Sequence, residues 1–320
     1  MRLIQFLDVN NRSSVGICEG NDVRILENTD STYALFMFAE NKGIKLEEAA
    51  HTFLSGEHVD FRKLVEEKRL KVPLSHPDPY HTWVTGTGLT HLGSASSRNA
   101  MHQKSSEDPN PTDSIKMFRM GIENGKMIEG KPGVQPEWFY KGNGLSVVAS
   151  GEAIPSPSFA LDGGEEPEIA AVYIINKKGE PKRVGYALGN EFSDHKMEKI
   201  NYLYLAHSKL RTCSFGPELL TGELPEHITG KTRIKRDGKI IWEKDFLTGE
   251  ANMSHNISNL EYHHFKYELF RQPGDVHIHF MGTSVLSFAD GVEVAEGDSF
   301  EIEADAFQHP LINTFQVRKG

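Results

Sequence analysis

The stretch GGEEPEIAAVYIIN, residues 163–176, constrains this chain more than any other. Ala170, Ala171, Val172, Ile174 and Ile175 form an apolar run that reads as a strand buried in a core. Glu165, Glu166 and Glu168 stand directly before it, so any fold that buries the strand carries acid to the mouth of its core. Side chains at i and i+2 of a strand point to the same side, which puts the carboxylates of Glu166 and Glu168 on one face. Paired carboxylate oxygens of fixed direction suit a hard divalent cation, Mg2+ or else Mn2+ or Ca2+, far better than zinc. The alternative is a solvated acidic turn, and a third carboxylate decides between them. GYALGNEFSDHKME, at the end of the next apolar segment, offers Glu191 and Asp194 for that place.

The surroundings of this strand predict an α+β protein. Residues 1–75 read as a small N-terminal unit: MRLIQFLDV, SSVGICEG and DVRIL are strand-like runs separated by turn signals, and three helical patterns follow. The helical patterns are STYALFMFAENKG, KLEEAAHTFLSG and DFRKLVEEKRL, the first with Ser31 or Thr32 as cap and Gly43 as stop. VPLSHPDPYH, with three prolines, marks a boundary near residue 75. Residues 76–136 form a connector rich in Gly, Ser, Asn and Pro, with the composition of an ordered loop or a lid over a site. From residue 137 to 320 the chain is strongly β, with Asp-Gly turns and one helix, SNLEYHHFKYELFRQPG, capped by Ser258. The expected core is a mixed or rolled β-sheet with a few helices outside it.

Composition narrows the function. A formal net charge of -10 over 320 residues, with no clustered basic face, argues against nucleic acid. No apolar run reaches the roughly 20 residues of a membrane span, and the first residues lack a signal peptide's apolar region, so the expected location is the cytoplasm. Two distant cysteines, Cys18 and Cys213, make no disulfide framework and fit a reducing compartment. His277 and His279 share a strand face, a spacing that serves zinc or simple packing; with no Cys or third His close in sequence, packing is the expectation. His263 and His264 fall in the helix and are expected to be structural.

Taken in order, these motifs resemble the fumarylacetoacetate hydrolase superfamily over residues 138–315. Glu166 and Glu168 match its E-x-E, and GYALGNE matches its second metal segment with Glu191 in place of Asp. SKLRTCSFGPELL supplies the family lysine as Lys209, and PGD at 273–275, MGTSVLSF, AEGDSFEIEAD and HPLINTF resemble its C-terminal motifs. His195 and Glu198 stand where the hydrolases carry Arg and Gln, and HLGSASSRNAMHQ lacks the pattern of the carbon-carbon hydrolases. The runs GTGLTHLGSASSRNAMH and GNEFSDHKMEKINYLYLAHSKLRTCSFGPEL resemble instead the sugar-acid branch, the 2-keto-3-deoxy-pentonate dehydratases.

The resemblance implies a C-terminal rolled β-domain and Mg2+ held by Glu166, Glu168 and Glu191. It implies a homodimer built on that domain and a hydro-lyase that converts a 2-keto sugar acid to 2,5-dioxopentanoate. Lys209, His195 and Glu198 are then the catalytic candidates, and Thr283, Gly282 and Ser208 the substrate contacts. A lysine near a cation can have its pKa lowered, which would let Lys209 move a proton as well as stabilise an enolate. Lys141 and Arg98 are expected to supply positive charge for an anionic substrate, and His91, Ser94 and Arg98 a hydroxyl-binding edge or lid. Two other readings stay open: hydrolysis of a 2,4-diketo acid on the same metal, and a sugar-acid-binding protein without turnover.

Overall fold

The computed structural model describes residues 1–94 and 111–318. Its strands, in chain order, are β1 (Arg2–Leu7), β2 (Ser13–Glu19), β3 (Asp22–Leu26), β4 (Leu54–Asp60), β5 (Thr82–Gly88), β6 (Glu137–Asn143), β7 (Val147–Val148), β8 (Ala153–Ser156) and β9 (Pro167–Ile175). They continue with β10 (Pro181–Asn190), β11 (Cys213–Phe215), β12 (Glu218–Leu220), β13 (Ile228–Arg236), β14 (Lys239–Thr248), β15 (Val276–Phe280), β16 (Ser299–Ala304) and β17 (Leu311–Val317). Among the described residues the α-helices are α1 (Thr32–Lys42), α2 (Leu46–Thr52), α3 (Phe61–Glu66), α4 (Asp113–Asn124), α5 (His195–Ile200), α6 (Leu205–Lys209) and α7 (Ile257–Phe265). None of them is long and apolar enough to cross a membrane.

Twelve strands join one sheet in the order β4-β3-β2-β1-β12-β10-β9-β15-β5-β6, with β11 and β7 attached beside β10. A second sheet runs β14-β13-β16-β17-β8. The α+β expectation is borne out.

β9 is buried along its whole length, and its alternation divides the core in two. Ala170, Val172 and Ile174 pack with Leu35, Phe36, Ala49 and Ala50 of α1 and α2. Ile169, Ala171, Tyr173 and Ile175 pack with Ile228, Phe246, Ile302 and Leu311 of the second sheet. A strand covered on both faces leaves no position for a solvated side chain, which is why this run is apolar without interruption. Continued backward, the parity of Ala170 and Val172 is that of Glu166 and Glu168.

Local turns follow the residues that permit them. β13 and β14 form a hairpin around Asp237 and Gly238, which have φ of 51° and 75°; two successive left-handed residues match the twist of a two-stranded ribbon. Ser31 caps α1 by accepting from Ala34 N at 3.1 Å, as its sequence position indicates.

Three local expectations are corrected. The segment KLEEAAHTFLSG is helical only through Thr52, and residues 54–60 are β4, which completes the meander by pairing with β3. The helix α7 is capped by Asn256, which accepts from Asn259 N at 3.2 Å, two residues before Ser258. The connector contributes a core strand: β5 lies between β15 and β6, parallel to the former. Sheet pairing overrides weak local preference in both strand cases.

Candidate active site

β9 and β10 are antiparallel neighbours, with Glu168 opposite Gly189 and Pro167 opposite Asn190. Just past this ladder Glu191 N donates to Glu166 O at 3.0 Å, so the third acid is delivered beside the first pair by strand register alone. Carboxylate oxygens of Glu166, Glu168 and Glu191 lie within 4.8 Å of one another, and all three residues are buried. Asp194, the other candidate for the third place, caps α5 by accepting from Met197 N at 3.0 Å and pairs with Arg211 at 2.8 Å.

Buried negative charge of this density requires partners. Lys209, at the end of α6, donates to Glu166 Oε1 and Glu191 Oε2, each at 2.5 Å. His195, the first residue of α5, places Nε2 2.9 Å from Glu166 Oε1. Lys141 on β6 pairs with Glu191 and donates to the carbonyls of Phe192 and Lys209, both at 2.9 Å. Gly282 N donates to Glu168 Oε2 at 2.7 Å.

The protonation states follow from these contacts. Burial opposes charge on Glu166, yet Lys209 and His195 outweigh it and hold the carboxyl well below its usual range. Burial and the charges of Glu191 and Glu166 push Glu168 well above that range. Glu191 is pushed up to about 7 by burial and Glu166, against the pull of Lys141 and Lys209. Burial works against charge on Lys209, but Glu166 and Glu191 prevail and raise it, which corrects the expectation of a lowered value. His195 is also raised, Glu166 prevailing over burial.

A narrow cavity of about 30 Å3 opens onto this cluster, and Gly88, Ser94, Glu137, Glu166, His195, Glu198, Lys209 and Thr283 form most of its wall. Ser94 donates to the Thr283 carbonyl at 2.7 Å, and Thr283 spends its hydroxyl on the carbonyl of Val285 at 2.8 Å. Glu137, on β6, accepts from Tyr202 Oη at 3.0 Å. Sequence reasoning passed over Glu137; its signal is Gly88, because a Cβ there would stand 1.9 Å from Glu137 Oε1.

Other expected contacts are placed elsewhere. Lys141 is a fully buried counter-ion of Glu191 and does not reach the cavity wall. Ser208 donates to Leu205 O at 2.8 Å inside α6, and its hydroxyl is thereby used. His91 is buried against Thr248 at 2.8 Å and Thr90 at 3.1 Å, and burial lowers its pKa to about 4. The Gly282 amide serves Glu168. Each of these groups already has a partner that a bound anion would have to displace. Arg98 lies outside the described residues. His277 and His279 pack, His277 against His264 at 3.0 Å and His279 against Thr85 at 2.8 Å.

The fold and site define a class: α+β proteins with a carboxylate-lined pocket where two central strands of a large mixed sheet end. No family model matches the chain. A curated protein of Haloferax volcanii named a probable 2-keto-3-deoxyxylonate dehydratase is 34% identical over 121 residues, 36% of this chain. The matched region spans 40% of that relative's length. Among solved structures, 2-keto-3-deoxy-D-arabinonate dehydratase in its apo form superposes with a TM-score of 0.72 at 22% identity, over 100% of both chains. Its complex with magnesium and 2,5-dioxopentanoate gives 0.71 at 21% identity, again over 100% of both. A 2-hydroxyhepta-2,4-diene-1,7-dioate isomerase from Mycobacterium marinum gives 0.61 at 14%. The chain therefore has the fold of these enzymes, as its motifs led one to expect.

Proposed function

We propose that this protein is a divalent-cation-dependent hydro-lyase that dehydrates a 2-keto-3-deoxy-pentonate to 2,5-dioxopentanoate. One observation carries the reading: three buried carboxylates within 4.8 Å of one another, next to a cavity, two of them bridged by Lys209. The donor set fits a hard cation. All three ligands are oxygen, and Glu168, which burial and repulsion from its neighbours drive toward protonation, is the group a dication would return to its charged form. Glu166, Glu168 and Glu191 would hold Mg2+, with Mn2+ or Ca2+ able to substitute. The fold is shared with a dehydratase whose structure contains magnesium and 2,5-dioxopentanoate.

A bound dication supplies Lewis acidity to the keto and carboxylate oxygens of a 2-keto acid. The remaining roles fall to the chain. Removal of a C3 proton builds negative charge on the C2 oxygen, and Lys209, held as a cation, stabilises it. Glu198 is assigned the C3 proton, and His195, one helical turn away on α5 and inclined to carry a proton, is assigned to protonate the departing C4 hydroxyl. Loss of water leaves an unsaturated acid, which becomes the aldehyde as a proton passes from C5 to C3 and the resulting enol tautomerises. Thr283 and Ser94 border the cavity where substrate hydroxyls or the carboxylate would lie. At about 30 Å3 the cavity holds only a water or two, so a five-carbon acid needs its walls to part on binding.

The test is direct. Metal-stripped and then Mg2+-restored protein is incubated with each 2-keto-3-deoxy-pentonate stereoisomer and the products are identified by mass spectrometry. Metal-dependent loss of one water to give 2,5-dioxopentanoate supports the lyase. No turnover of either enantiomer, with release of pyruvate from a 2,4-diketo acid, replaces it by the hydrolase. Binding without turnover replaces it by a sugar-acid-binding role. The same reading includes a homodimer located in the cytoplasm, checked by sedimentation of the purified protein and by fractionation of its cells.

A further inference from the structure

A second cluster of ligating side chains lies in residues that the proposed reaction does not use. Cys18 on β2, Glu218 on β12 and His309 in the turn between β16 and β17 bring a sulfur, a carboxylate oxygen and an imidazole nitrogen within 4.8 Å of one another. All three residues are buried, Cys18 at 1%, Glu218 at 0% and His309 at 9% exposure. The cluster shares no residue with the three acids of the active site.

We infer that Cys18, Glu218 and His309 form a structural site for a borderline-soft divalent cation, zinc in the first place, that ties the N-terminal meander to the rest of the fold. Three observations support this. First, the donor chemistry is mixed sulfur, nitrogen and oxygen, which suits zinc and contrasts with the all-oxygen set of the active site. Second, Cys18 Sγ stands 3.5 Å from His309 Nε2. That equals the separation of about 3.5 Å between a sulfur and a nitrogen on one tetrahedral zinc. Third, Glu218 has an oxygen that nothing else uses. Oε1 accepts from Gln308 N at 2.6 Å, whereas Oε2 is buried with no hydrogen-bond partner. The Arg2 guanidinium stands 3.6 Å from Oε1 of the same carboxylate, which leaves Oε2 as the buried oxygen without a hydrogen-bond partner beside the thiol and the imidazole.

The backbone completes the set. The Gly20 carbonyl lies 3.4 Å from Cys18 Sγ and 2.8 Å from His309 Nε2, and accepts from both in the metal-free state. On binding, the thiol proton passes to solvent and the imidazole shifts its hydrogen to Nδ1. Nε2 and the thiolate are then free to ligate, and the carbonyl, having lost both donors, is an available fourth oxygen. Phe61 of α3 stacks on the His309 ring with centroids 3.5 Å apart and planes within 13°, which fixes the ring's direction. On its outer side His309 lies in the wall of a surface cavity of about 380 Å3.

The experiment uses the whole protein with Mg2+ in excess, so that the active-site acids are occupied, and adds Co2+ as a spectroscopic stand-in for zinc. The expected result is one equivalent of Co2+ with a thiolate-to-metal charge-transfer band, displaced by Zn2+. The band is lost in Cys18→Ser and kept in Cys213→Ser and Glu168→Gln. Zn2+ should also raise Tm of the wild-type protein and slow alkylation of Cys18, read by peptide mass spectrometry without any variant. Absence of the band in wild-type protein, its survival in Cys18→Ser, or unchanged Cys18 alkylation with Zn2+ overturns the site.

Discussion

The carboxylate of Glu165 takes both the backbone N–H and the hydroxyl of Ser287, at 2.9 and 2.7 Å, in a fully buried position. This pair ties the start of β9, where Glu166 and Glu168 stand, to the segment that carries Thr283 on the cavity wall. Neighbouring Glu166 and Glu168 are directed inward on one side of the strand while Glu165 anchors the other. Removing it leaves a buried amide and a hydroxyl without an acceptor, a loss of about 1–3 kcal/mol. Glu165→Ala should therefore lower the urea midpoint with an unchanged m-value and raise KM more than it lowers kcat. A variant as stable as the parent, with unaltered KM, would show that the tie is idle.

The three clustered acids should separate in a stability assay without metal. Burial and two neighbouring acids oppose ionisation of Glu168, so Glu168→Gln, neutral at every pH, removes that cost while keeping an acceptor for Gly282; Tm in EDTA should rise and Mg2+ should no longer shift it. Glu191→Ala has the opposite sign, because it leaves Lys141 and Lys209 without their shared partner. Breaking a buried pair in this way costs about 3–5 kcal/mol. Equal Tm changes for the two variants would refute the charge arrangement.

Lys209→Met tests the proposed electrostatic role. Loss of one charge aimed at a developing oxyanion lowers kcat by about 10²–10³-fold. The measurement is single-turnover kinetics at saturating Mg2+, and an unchanged turnover rate removes Lys209 from the mechanism.

Acid sensitivity should come from the histidine cluster around β15. Burial lowers His277 and His279 to about 3 and His264 well below its ordinary value. The unfolded chain takes up protons at His277 and His279 near pH 6.5, whereas the folded chain does so at these two rings only near pH 3. Stability contributed by the neutral rings is thus complete above pH 6.5 and declines as pH falls toward 3, by about 1.4 kcal/mol per pH unit for each ring. Urea midpoints at pH 7.5 and 5.5 should differ in the wild-type protein, and by less in His279→Gln. A pH-independent midpoint over that interval would contradict the burial of neutral rings.

Much of this site was legible in the sequence for a physical reason. Strand periodicity is local, so GGEEPEIAAVYIIN was enough to place Glu166 and Glu168 on one face, and an apolar run of that kind was enough to demand cover. The hairpin at Asp237-Gly238 and the cap at Ser31 are likewise set within a few residues. Partnership is not local. Which of Glu191 and Asp194 joins the acids depends on the register of β10 against β9, and which lysine faces the cavity depends on how β6 and α6 approach that ladder. Lys141 and Lys209 look alike in the chain; only packing makes one a sealed counter-ion and sets the other at the cavity wall. The strand β5, disguised by Thr and Gly, earns its place from β15 and β6 on either side, and Glu137 reaches the cavity because Gly88 across the sheet makes room. Cys18, Glu218 and His309 are dispersed through the sequence and meet only where β1 pairs with β2 and β12 and the turn before β17 folds back over them. Residue type and short-range geometry determined what chemistry this chain can offer, and long-range strand pairing decided which of those groups act together.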